Sequence, residues 1–297
     1  MINHSEWQSI AQQIEQTIKQ PFTISNRQAV SGGCINSAYL IQNQADCFFI
    51  KLNQAHLTAM FEAEFSGLKE IAETQTIKVP KPILSGMVNN HAFLVLEAIT
   101  LGNGNSQSDQ LLGQQLAALH KHEQAFFGWH TDNTIGSTPQ INDCSDNWLS
   151  FWRKNRLEFQ LTLAEKNGYT GKLIQSGEKL AGSLNCLFTN HDLHPSLLHG
   201  DLWSGNAAAN EKGEPVIYDP ACYYGDRETD IAMTELFGGF SANFYAAYNE
   251  SYPLHPDYAV RKTLYNLYHI LNHLNLFGTS YQRQAQHMID SLLAEIS

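Results

Sequence analysis

The sequence predicts an α+β chain of two lobes: a small β-rich N-terminal lobe with one key helix, and a larger, mostly helical C-terminal lobe. Three observations predict it. Short apolar runs with strand spacing dominate the first hundred residues, and apolar stripes with helical spacing dominate the rest. Between them lies Gly102-Asn103-Gly104-Asn105-Ser106, which reads as a flexible linker. The lobes are therefore expected at residues 1–100 and 101–297, and 297 residues suffice for two modest cores.

Trp7, Ile10, Ala11, Ile14 and Ile18 fall on one stripe, so residues 5–19 are expected to be a helix, with Ser5 and Gln8 as a capping box and Pro21 beyond its end. Strands are expected at residues 22–30, 37–41 and 47–52, and a helix at 56–73. Gly86 and Asn89-Asn90 mark turns around a short strand, and His91 begins another with the dense run Ala92-Phe93-Leu94-Val95-Leu96. Helices are then expected at 108–123, 146–167, 172–188, 226–237, 240–250, 257–276 and 280–296. Leu264, Leu267, Tyr268, Leu271 and Leu274 form a core stripe.

Composition excludes several classes. Twenty-nine acidic residues against 18 basic ones give a net charge of −11, which argues against a nucleic-acid partner. A cationic substrate suits that balance, although solubility alone explains most acidic surfaces. No apolar run approaches a membrane span, and the first residues lack the features of a signal peptide. Five scattered cysteines without a CxxC pair point to reduced thiols and a cytoplasmic location, not to disulfides or zinc. His191 and His194 lack a further ligand cluster and read as solvated loop residues, while His120, His122 and His130 read as caps or surface residues.

Chemistry concentrates between residues 198 and 219. Asp201, Asn206 and Asp219 each end or follow an apolar run, and Glu211-Lys212-Gly213-Glu214 suits a hairpin that brings Asn206 and Asp219 to one side. Two hard oxygen ligands placed that way suit Mg2+ on a nucleotide's phosphates, with Asp201 positioned to take a proton from an acceptor hydroxyl. His199 reads as a support for this loop through backbone hydrogen bonds. Lys51 ends an apolar strand, and Glu64 falls inside the buried stripe of Leu57, Phe61, Leu68 and Ile71, whereas Glu62 faces water. A buried carboxylate needs a partner, and Lys51 is the natural one. The pair either aims the lysine at phosphates or is a structural ion pair with the same geometry. Gly32-Gly33 is either a turn whose amides cradle phosphate or an ordinary hairpin turn. Further on, Asp226 suits an N-cap, and Asp230 can turn inward to hydrogen-bond the catalytic loop.

His199-Gly200-Asp201-Leu202-Trp203-Ser204-Gly205-Asn206 and Tyr218-Asp219-Pro220-Ala221-Cys222-Tyr223-Tyr224-Gly225-Asp226-Arg227-Glu228 resemble the fructosamine (ketosamine) kinase family, within the aminoglycoside-phosphotransferase and protein-kinase-like superfamily. The likeness extends to Gly32-Gly33-Cys34-Ile35, to Phe61-Glu62-Ala63-Glu64, and from Phe127-Gly128-Trp129 to Gln140. It implies a protein-kinase-like fold and ATP- and Mg2+-dependent phosphorylation of the sugar 3-hydroxyl of ketosamines, small or on glycated lysines. It makes Asp201 the catalytic base, Asn206 and Asp219 the metal ligands, and Gly32, Gly33, Lys51 and Glu64 phosphate binders. It places adenine at Glu97-Ala98-Ile99, and Trp203, Asp226 and Glu228 near the substrate. For Asp226 and Glu228, helix capping alone is the competing reading. Trp203 either stacks on the sugar or packs under the loop, with substrate contact favoured. Cys34 is either an oxidisable thiol in the phosphate loop or a small filler. Gly200 departs from the arginine of many protein kinases, and the short segment after Asp219 predicts a constitutively assembled site. A phosphotransferase for another small amine or amino alcohol, and a pseudokinase scaffold, are the alternatives. The scaffold would be expected to lack one of Lys51, Glu64, Asp201, Asn206 or Asp219, and all are present.

Overall fold

Helix α1 (His4–Ile18) opens the chain and buries Trp7, Ile10, Ala11 and Ile14 along one stripe. The computed structural model describes residues 2–30, 35–189 and 191–296. The capping box of α1 is Asn3 and Glu6, not Ser5 and Gln8: Glu6 N donates to the Asn3 side chain at 3.0 Å and Asn3 N to the Glu6 carboxylate at 2.7 Å. A carboxylate in the first turn complements the helix dipole, which the neutral Gln8 would not do.

Strands β1 (Asn26–Val30), β2 (Ser37–Gln42) and β3 (Cys47–Gln54) are followed by α2 (Thr58–Glu73), β4 (Pro82–Val88) and β5 (His91–Glu97). The strands form one antiparallel sheet in the order β1-β2-β3-β5-β4. Side chains alternate across it. Ile50, Leu52, Phe93 and Val95 face α1 and form a small outer core, while Ala92, Leu94 and Leu96 join α2 on the other face. Lys51, paired in register with Leu94, falls on the α2 side. A one-residue slip would turn it away, so the flanking apolar residues fix its direction.

The expected linker is partly a strand. β6 (Leu101–Gly102) pairs with β10 (Ala207–Asn210), and a Cβ at Gly102 would lie 2.9 Å from the Asn210 carbonyl. Asn105 then caps α3 (Ser106–Leu119), which therefore starts earlier than its apolar stripe suggests.

The remaining elements follow: β7 (Asn133–Ile135), β8 (Thr138–Gln140), α4 (Trp148–Trp152), α5 (Phe159–Lys166), α6 (Lys172–Gly182), β9 (Ser196–Leu198), then β10, β11 (Pro215–Ile217), β12 (Tyr223–Gly225), α7 (Glu228–Leu236), α8 (Ala242–Ser251), α9 (Tyr258–Phe277) and α10 (Gln282–Glu295). The helix expected over 146–167 is interrupted by a π-helical stretch, Arg153–Glu158. There Arg156 is fully buried, lies over the rings of Phe151 and Tyr223, and donates to Ile141 O at 2.6 Å. The larger core crosses the lobe boundary. It joins Phe61, Leu68 and Ile71 of α2 to Leu116 of α3, Leu198 of β9, Ile231 of α7 and Leu271 of α9. Among the described residues no helix is long and apolar enough to cross a membrane.

Candidate active site

Lys51 stands at the junction of two carboxylates from opposite parts of the chain. Its Nζ lies 2.6 Å from Glu64 Oε1 on α2 and 2.6 Å from Asp219 Oδ1. Burial works against a charge on Lys51, but the two carboxylates outweigh it and hold its pKa above the ordinary lysine value. Burial pushes Glu64 upward, yet the short contact to a protonated lysine identifies the pair as ionic.

Asp219 follows the hairpin of β10 and β11 and adopts φ +58, a left-handed conformation that aspartate tolerates better than most residues. Its side chain is 46% exposed. Asn206, just before β10, donates from Nδ2 to Asp201 O at 2.9 Å and to Asp201 Oδ2 at 3.3 Å. Its Oδ1 thus remains without a donor among the described residues. Asp201, Asn206 and Asp219 converge as their spacing predicts. The Asp201 carboxyl is half-buried, and its pKa is pushed up to about 7, by burial first and then by the like charges of Asp219 and Asp230.

A buried network holds the loop. His199 N and Gly200 N donate to the two oxygens of Asp230 at 2.7 and 2.8 Å, the inward turn expected of that residue. Burial alone would raise the Asp230 pKa, but these bonds and His120 hold it below the ordinary value. His199 accepts from Asp201 N through Nδ1 and donates from Nε2 to Tyr218 O, and burial lowers its pKa, so it is a neutral strut. His120 is a buried partner of Asp230 and Tyr248, whereas the sequence suggested a surface or capping residue; it does cap α3, but from the inside. Gly200 adopts φ +82, and a Cβ there would lie 2.1 Å from the Ala221 carbonyl. An arginine at this position is sterically excluded. Below, Asn133 Nδ2 donates to Cys222 O and Gln140 Nε2 to Ala221 O, fixing the segment after Asp219 without an activation loop.

A half-buried carboxyl, an amide and a second carboxylate beside an anchored lysine are groups of the kind that phosphoryl-transfer chemistry uses. The family model for fructosamine kinase matches residues 6–295. The chain belongs to the fructosamine kinase family. It is 51% identical over 288 residues to a probable ketoamine kinase of Synechocystis, covering 97% of each chain. It is 44% identical over 268 residues to the chloroplastic protein-ribulosamine 3-kinase of Arabidopsis thaliana, covering 89% of this chain and 82% of that one. The crystal structure of a provisionally named fructosamine-3-kinase from Haemophilus somnus superposes with a TM-score of 0.89 at 31% identity, covering 97% of each chain. An aminoglycoside phosphotransferase shares the fold, at a TM-score of 0.63 and 14% identity over 97% of this chain and 98% of that one.

Other expected residues of this fructosamine kinase family member fall into four groups. Glu97 ends β5, and the half-buried Ala98 and Ile99 follow it toward the second lobe. Trp203 is 39% exposed, and its ring covers Gly205, where a Cβ would meet it at 2.2 Å. Gly32, Gly33 and Cys34 lie outside the described residues.

Asp226 and Glu228 are a correction. Expected near the substrate, they are 3% and 0% exposed and fully engaged inside the C-terminal lobe. Arg261 grips both oxygens of Glu228 at 2.8 and 3.1 Å, and Asp226 accepts from Tyr265 and lies 2.9 Å from His191. His191 is accordingly not a solvated histidine. His191, Asp226 and Glu228 cluster tightly enough to suggest a cation, but Arg261 already supplies the positive charge. Asp226 Oδ1 also accepts from Glu228 N, but the N-cap residue of α7 is Arg227, not Asp226 as expected.

The sequence reading missed Glu70, which takes bonds from Trp129 and Tyr224, and the ring cluster of Phe237, His273, Phe277 and Tyr281. That cluster adjoins the catalytic loop, where Ser204 Oγ donates to Phe237 O at 3.5 Å. The exposed Phe277, at the end of a core stripe, was its one visible signal.

Proposed function

We propose that the protein transfers the γ-phosphoryl group of ATP to the 3-hydroxyl of a ketosamine sugar. What supports this reading is the contact of Lys51 with Asp219 and of Asn206 with Asp201, in a chain of this family. Asp201 orients the acceptor hydroxyl and takes its proton late, as the bond to phosphorus forms. Its carbonyl and carboxylate both receive the Asn206 amide, which fixes the base relative to that ligand. Lys51 remains charged although buried, and so offers an ammonium to phosphate oxygens. Asn206 Oδ1 and the Asp219 carboxylate are hard oxygen donors, the donor set that Mg2+ prefers, and they would hold it. Mg2+ when bound neutralises charge on the phosphates. Ala98 and Ile99 suit adenine through their backbone groups, Trp203 suits a sugar face, and the lobes divide near residue 100.

The acceptors in this reading are small ketosamines or glycated lysines on proteins. Phosphorylation destabilises the adduct, which then releases the free amine, so the role is repair of glycation. The reduced, scattered cysteines fit a cytoplasmic enzyme. Two variants separate the assigned roles. Asp201→Asn should bind nucleotide normally and lose about 10^2- to 10^4-fold in turnover. Asp219→Ala should lose Mg2+-dependent nucleotide binding itself. Near-normal turnover in the first, or unchanged ATP affinity in Mg2+ in the second, contradicts the assignment.

A further inference from the structure

We infer that Glu70 is a positioning residue: by fastening α2 to Trp129 and Tyr224, it holds Glu64 in place to pair with Lys51. The two acids share a helix but face different ways. Six residues at 3.6 per turn put Glu70 about a third of a turn round from Glu64. Each Glu70 oxygen receives its own donor, Oε2 from Trp129 Nε1 at 2.6 Å and Oε1 from the Tyr224 hydroxyl at 2.8 Å.

Those donors sit on one rigid platform. Gly128 N donates to Tyr224 O, and Tyr224 N to Gly128 O, both at 2.9 Å, and Trp129 is 3% exposed. One turn back along α2, a Cβ at Gly67 would come within 2.9 Å of Cys222 Sγ, so the helix is seated directly on the segment that follows Asp219. The contacts close a ring: Lys51 to Glu64, α2 to Glu70, Glu70 to Tyr224, and back along the chain to Asp219, which meets Lys51. Hydrogen bonds to a carboxylate are stronger than neutral ones, so Glu70 is a firm direct tie between α2 and the second lobe, beside the ion pairs that run through Lys51. Without it the ring opens, α2 can shift, and Glu64 loses its fixed distance to Lys51.

This inference rests on the phosphate-binding role proposed for Lys51 and Glu64, and the test separates the two. Affinity for Mg2+-bound ATP analogue is measured by calorimetry for wild type, Glu64→Ala, Glu70→Ala and the double variant, each well below its melting temperature. Glu64→Ala alone reports on the phosphate role; unchanged affinity there removes that reading and this inference with it. If Glu64→Ala binds weakly, Glu70→Ala should lose about tenfold in affinity, equivalent to ~1.4 kcal/mol. The double variant should then be no more than about twofold worse than Glu64→Ala, because the pair is already displaced. Glu70→Gln, which keeps an acceptor for Trp129, should recover most of the loss. Wild-type affinity in Glu70→Ala, or losses that multiply in the double variant, would show that Glu70 merely stabilises the fold. Should Glu70→Ala fail to fold, Tyr224→Phe removes one donor and enters the same cycle, with about threefold expected and the same overturning results.

Discussion

Asp201 carries its charge beside Asp219 and Asp230, and burial adds to the cost. With its pKa pushed up to about 7, the group costs the metal-free protein stability progressively as pH rises from the ordinary carboxylate range, and the loss is complete above about 7. The penalty disappears below the ordinary carboxylate range, where the group is protonated whether folded or not. Asp201→Asn should therefore raise the melting temperature of the nucleotide-free, metal-free protein at pH 8. The gain should be on the order of 1–2 kcal/mol, allowing for solvent screening of a half-buried group. A melt at pH 8 that shows no gain contradicts this picture. Gly200 makes the complementary point. The sequence shows its departure from an arginine, but only the structure supplies the reason, φ +82 against the Ala221 carbonyl. Gly200→Ala should cost more than about 2 kcal/mol. Gly182→Ala, in open space at the end of α6, should gain roughly 0.5 kcal/mol. Thermal melts of the two should move in opposite directions.

At the scale of elements, strand β5 was legible because its apolar run is dense and its turns are marked, and α9 because its stripe is long. What escaped the sequence were bonds between elements far apart in the chain. Asp226 and Glu228 look like exposed first-turn acids when α7 is viewed alone. Their burial depends on Tyr265 and Arg261 of α9, 39 and 33 residues away. Arg261→Met should therefore destabilise by about 3–5 kcal/mol, since it strands a buried carboxylate. Chemical denaturation measures that loss. The KM for the acceptor well below the transition should stay near the wild-type value, and a variant that keeps its stability but loses acceptor affinity would restore a substrate role. The capping box failed for a local reason: Asn3/Glu6 and Ser5/Gln8 have the same spacing, and only the acidic pair also satisfies the helix dipole.

Across the whole molecule, the small sheet-rich part was readable from the strand spacing of the early apolar runs, but the division of the cores was not. The larger core continues from α2 through α3 to α9, because α2 buries one side under the sheet and another against the second lobe. A helix shared in this way explains how the site is assembled without a long activation segment. Asn133, Gln140 and Asp230 hold the loop from below, and Glu70 ties α2 from the side. The contacts of Asn206 with Asp201 and of Lys51 with Asp219 agree with the placement expected from the apolar runs beside these residues. The acceptor side was not legible, because no comparable pattern marks it, and Trp203 is the one expected substrate residue left open to solvent. The central claim is therefore tested most directly at the acceptor. ADP release should be measured with ATP, Mg2+ and a panel of ribulosamine, erythrulosamine and fructosamine adducts, alongside an aminoglycoside and a choline-like alcohol. ATP turnover is expected with at least one ketosamine, with phosphate on its sugar 3-oxygen, and none with the two controls. Turnover with a control but with no ketosamine would contradict that claim.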